Sequence, residues 1–181
     1  MSDHPVHPAL VHFPITFLTT AYGLDALIHG WSYLPDMITS YLPGQTELSR
    51  ISYYALSLGV LTAIPTVTSG ISQGLPLLSK GIKSPDGTIK PKVKTLLAHA
   101  AISDVIVVAS AWLWWNKRQA GAAQLLLEGK NPASYESTTY MMIAGLITLA
   151  GTLFTASLGG SLTYDYGMGF VPASQAAKKK A

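Results

Sequence analysis

Four apolar stretches, each close to the ~20 residues a helix needs to cross a bilayer, constrain this chain more than any other feature. They cover about residues 9–29, 53–78, 95–115 and 140–162. Backbone inside hydrocarbon must satisfy its own hydrogen bonds, which leaves helices or closed barrels. None of the stretches has the two-residue alternation or turn spacing of a barrel strand. The expected fold is therefore all-α, an integral membrane four-helix bundle forming one domain over residues 1–181. Composition agrees: only 12% of residues are charged, about half the share of a soluble domain, which leaves too little charge to cover a water-facing surface.

Lysine and arginine set the expected orientation. The N-terminal segment has none, the loop between spans two and three has Lys80, Lys83, Lys90, Lys92 and Lys94, and the tail has Lys178, Lys179 and Lys180. An even number of spans puts these three segments on one side, opposite only Arg50, Lys117, Arg118 and Lys130. Both termini are thus expected on the cytoplasmic or matrix side. Trp31, Trp112, Trp114 and Trp115 belong to the aromatic belt at the other interface. The net charge of +3 comes from short clusters beside spans, so lipid headgroups rather than nucleic acid are its partners. Met1–Pro8 has no basic residue, so the first span is expected to act as its own insertion signal. The ending Lys178-Lys179-Lys180-Ala181 is similar to a dilysine retrieval signal of the endoplasmic reticulum. A basic patch on anionic lipid explains it equally well, and mitochondrial inner and bacterial membranes stay open.

Within the spans, Pro65 between Gly59 and Gly70 predicts a kink in span two. The Ser84-Pro85-Asp86-Gly87 run predicts a polar turn, and residues 31–50 suit a short interfacial helix. Thr62, Thr66, Ser69 and Gln73 form one small or polar stripe, and Thr148, Gly151, Thr155 and Gly159 another. Such stripes let helices approach and bond one another. Gln73 needs several partners once it leaves water.

Ionisable groups inside a span are costly and draw attention to function. His12 and Asp25 fall in span one, His99 and Asp104 in span three. His12 and His99 are expected at similar depth, near the lysine-rich face. Two imidazoles on different helices suit the two axial positions of a b-type haem. A metal ion held by His7, His12 and His99 is a second arrangement, and ordinary structural hydrogen bonding a third. Asp25 and His29, one turn apart, are expected to pair or cap. Asp104 reads as an acid bonded to a hydroxyl or as a step in a proton relay. With no cysteine in the chain, disulfides, thiolate metal sites, iron–sulfur clusters and covalent c-type haem are excluded.

His7-Pro8-Ala9-Leu10-Val11-His12-Phe13-Pro14-Ile15 resembles the H-P-x-x-V-H-F-P-I opening of a family of four-span membrane proteins known as a domain of unknown function. The similarity extends through Leu24-Asp25-Ala26-Leu27, Ala98-His99-Ala100 and the closing Gly159-Gly160-Ser161-Leu162-Thr163-Tyr164-Asp165-Tyr166-Gly167-Met168-Gly169. The resemblance covers nearly the whole chain. It departs at Tyr166, where the family's ending has a histidine, so that position is lost or altered as a ligand. The resemblance implies a membrane protein with a haem or redox association.

Three functional expectations result. The first is a membrane-embedded haem b protein for electron transfer, with His12 and His99 as ligands. The second is a cofactor-free accessory subunit of a larger membrane complex, or a homo-oligomer. The third is a small transporter, which needs a polar path between His12 and Asp25. Without a hydrolase triad, P-loop or dinucleotide fingerprint, the chain does not read as an enzyme on its own.

Overall fold

The computed structural model describes residues 6–129 and 134–168. The Lys178–Lys180 tail, and with it the retrieval-signal expectation, lies outside the described residues. Four helices are long and apolar enough to cross a membrane. The first is built from α1 (Val6–Leu10) and α2 (His12–His29), separated at Val11. A 3₁₀ turn (Trp31–Tyr33) and the short α3 (Asp36–Thr39) lead into α4 (Gln45–Ser79). They occupy the stretch that suited an interfacial helix. Two further helices, α5 (Pro91–Glu128) and α6 (Thr139–Tyr164), complete the bundle. Each helix packs on two neighbours in the cyclic order α2, α4, α5, α6.

The break between α1 and α2 has a direct cause. Pro14 has no N–H, so the carbonyl of Leu10 loses its normal partner four residues on. The Thr66 hydroxyl of α4, bonded to its own Thr62 carbonyl at 2.8 Å, also approaches that carbonyl at 3.3 Å. The freed carbonyl thus lies against α4. Pro65 and Pro76 both lie inside α4, which stays one helix through them.

Between the helices, Leu18, Ala21, Tyr22, Leu56, Ile106 and Leu113 form the centre of the core. Small residues bring backbones close: a Cβ on Gly145 would stand 2.8 Å from the Tyr22 ring. That ring is pinned by a 2.7 Å hydrogen bond between its hydroxyl and Ser110. Outward faces carry Leu61, Ile64, Val105, Val108, Ile147 and Leu153, as a surface solvated by lipid tails requires.

At 35 and 38 residues, α4 and α5 are ~50 Å or longer, well beyond the ~30 Å of hydrocarbon. Both extend past the expected spans at the end away from the Lys80–Lys94 loop. There Tyr53 stacks on Tyr135 with ring centroids 4.0 Å apart. Ser49 meets Ser134 at 3.2 Å, while Gln124 accepts the Ser134 amide at 2.8 Å. At the opposite end, residues 80–90 form the expected polar turn. Its Ser84 N–H bonds to Thr88 O, and Gly87 takes φ 84°.

Candidate functional site

Two polar clusters sit inside the bundle, one toward each end. The first lies at the end that carries the Lys80–Lys94 loop. From α1, the His7 ring reaches α4, where its Nδ1 is 3.0 Å from both the Thr66 carbonyl and the Ser69 hydroxyl. From α5, the His99 ring reaches α6, where its Nδ1 is 2.9 Å from the Thr155 carbonyl and 3.1 Å from the Thr155 hydroxyl. Thr155 also meets Ser103 at 2.9 Å. The two rings face each other with centroids 6.3 Å apart and planes at 84°. When Nδ1 donates its proton to a carbonyl, Nε2 is left as a free acceptor, the state in which histidine ligates metals.

Glycines make room for both rings. A Cβ on Gly70 would come 3.0 Å from His7 Cε1, and one on Gly159 would come 3.2 Å from His99 Cε1. Both contacts are tighter than side chains normally accept, so these glycines are cradles for the imidazoles. The His7-Pro8, Ala98-His99-Ala100 and Gly159-Gly160 segments, far apart in the chain, therefore converge on one place.

The expected pairing of His12 with His99 is not what the structure forms. His12 is exposed, and the imidazole opposite His99 belongs to His7. The reason is angular: five residues on a helix turn roughly 140° away from the starting direction, so an inward His7 sends His12 outward. The same offset separates His99, which turns inward, from Asp104, which is exposed near the middle of α5. Among the described residues Asp104 makes no hydrogen bond to the rest of the chain, so the expected hydroxyl partner is absent. Gln73 is half-buried, as is Tyr166, whose backbone carbonyl accepts the Lys92 ammonium at 2.8 Å. Among the described residues no group of three or more His, Asp or Glu side chains is placed to hold a metal ion.

The second cluster lies toward the far end and ties the bundle together. Lys117 of α5, only 1% exposed, places its ammonium 2.6 Å from Asp25 Oδ1 of α2. Ser52 of α4 donates to the same oxygen at 2.6 Å, and Ser137, just before α6, donates to Oδ2 at 2.7 Å. Lys117 also bonds Ser52 Oγ at 2.7 Å. Every buried side-chain nitrogen and oxygen among the described residues has a partner. The expected Asp25–His29 pair is replaced: His29 Nδ1 bonds the Asp25 backbone carbonyl at 3.1 Å, leaving the carboxylate to Lys117. Lys117, expected in a loop, is a core residue. Its signal was legible in the buried series Ile106, Ser110, Leu113, Lys117 at alternating three- and four-residue steps.

The hydroxyl stripes bond largely within their own helices. Thr62 and Thr148 bond the carbonyls of Leu58 and Ala144, both at 2.7 Å. Thr66, Ser69 and Thr155 are the stripe members that reach another helix, and all three serve the region around the histidines.

Apolar outer faces, inward polar clusters and four spanning helices define an integral membrane protein. The family comparison leads to the same class and narrows it. Residues 3–172 match the model of the family described as Predicted membrane protein (DUF2231), and the chain belongs to that family. No curated protein and no solved structure matches it.

Proposed function

We propose that this membrane protein holds a b-type haem with His7 and His99 as axial ligands and serves in electron transfer. The observation that carries the reading is the facing pair of imidazoles, each anchored through Nδ1 on a backbone carbonyl of a different helix. His7 and His99 would hold the iron through the ring nitrogens that their Nδ1 bonds leave free. The two rings stand 6.3 Å apart between centres.

Donor number favours haem over a bare ion. A structural ion held by protein alone needs about four ligands, and among the described residues two imidazoles are gathered here. Haem iron brings four porphyrin nitrogens and needs only the axial pair. Gly70 and Gly159 keep the ring edges clear of side-chain carbon. The lysines at this end of the bundle supply cations for propionates.

A haem held by His7 and His99 would supply one-electron chemistry. The chain's own contribution is to fix both imidazole tautomers, exclude water and hold the rings apart. Absorption spectra of the purified protein, oxidised and then reduced, test this. The expected result is a Soret band that is lost or shifted in His7→Ala and His99→Ala and unchanged in His12→Ala. A colourless preparation from haem-replete cells, or a band that ignores His7 and His99, would overturn the assignment.

A further inference from the structure

We infer that the outer face of α5 is a dimer interface that binds a second copy of this chain, centred on Asp104. This does not depend on the haem reading. Asp104 lies ten residues beyond Lys94 and eleven before Trp115, so each interface is roughly 15 Å away and the carboxyl sits near the bilayer midplane. It is exposed there, in a shallow groove lined by Val105, Val108, Ala109 and Trp112. Lipid tails offer a carboxyl neither donor nor acceptor, and isolated ionisable groups at this depth are strongly disfavoured. Something polar must cover it.

The chain itself supplies that group. In the mid-membrane part of the described bundle, Asp104 is the sole outward-facing ionisable side chain; Asp25 and Lys117, toward the far end, are buried against each other. All copies insert with the same orientation, so a two-fold axis along the membrane normal brings Asp104 to the same depth in both. A carboxylic acid both donates and accepts, so a pair that holds a proton between its members bonds across the axis. The surrounding pattern fits helix pairing. Leu97, Ala101, Asp104, Val108, Ala111 and Trp115 follow steps of four, three, four, three and four on the outward side, the repeat of a left-handed helix pair. One polar residue in such a seam fixes register and partner number.

The chain has no cysteine, so single-cysteine crosslinking in dilute proteoliposomes reads the interface directly. Val108→Cys is expected to form a disulfide-linked dimer, and Phe154→Cys, on the outward face of α6, is not. Counting photobleaching steps, Asp104→Leu should weaken dimerisation about tenfold, while Asp104→Asn, which still donates and accepts, retains it. Monomers at all lipid ratios, equal crosslinking at Phe154, or an Asp104→Leu dimer as tight as the parent would overturn the inference.

Discussion

Lys117 and Asp25, ninety-two positions apart in the chain, meet inside the bundle at 2.6 Å. Together with Ser52 and Ser137 they join three helices and the approach to the fourth. A buried ion pair is a weak source of net stability, but breaking it leaves an uncompensated charge and typically costs about 3–5 kcal/mol.

Lys117→Met and Asp25→Leu are each expected to lower unfolding stability by an amount in that range, measured by denaturant titration in bicelles. The double variant should recover much of the loss, because no lone charge remains. Additive losses would show that the two residues act independently.

Close approach of α6 to α2 depends on Gly145. Its Ala variant forces Cβ to 2.8 Å from a Tyr22 ring that Ser110 holds in place, and overpacking of this kind costs about 1–3 kcal/mol. Gly23, with nothing within 4 Å of a built Cβ, is the control. Thermal unfolding should fall for Gly145→Ala and hold or rise for Gly23→Ala.

The Thr66 hydroxyl and Pro14 form a coupled pair, since the hydroxyl answers a carbonyl that Pro14 leaves free. Thr66→Val, which loses the bonds to both Leu10 and Thr62, should destabilise by a few tenths to about 1 kcal/mol in the parent and by less in a Pro14→Ala background, where Leu10 regains a backbone donor. Equal costs in both backgrounds would remove the coupling.

In the exposed 80–90 turn, Asp86 accepts the Thr88 N–H at 3.0 Å and the Thr88 hydroxyl at 2.8 Å. These bonds, the backbone one first, hold its carboxyl below the usual carboxylate range. The turn is therefore held at pH values above the unfolded pKa, and its support is lost as pH falls through the depressed folded value. An NMR titration should show the low value rising only part of the way in Thr88→Ala, which loses the hydroxyl bond and keeps the backbone donor.

Much of this molecule was readable from residue order, because the membrane imposes a simple rule on length and polarity. The four spans, the Ser84–Gly87 turn and the far-end tryptophans all follow from it. What linear reading misplaced was direction around a helix. His12 fell at the right depth but the wrong angle, and His7 sat before the apolar stretch began, so its helix was counted too short. Lys117 was assigned to a loop because charge marked the end of a span. Yet α5 continues to Glu128, and the heptad spacing carries Lys117 into the core. Its partner Asp25 lies on another helix, and no local pattern records that pairing.

Electron paramagnetic resonance of the oxidised protein tests the two-histidine centre most directly. If His7 and His99 hold a haem iron, the expected signal is low-spin, collapsing to high-spin or vanishing in His7→Ala while persisting in His12→Ala. A sample without haem iron, or a low-spin signal that survives loss of His7, would contradict the site.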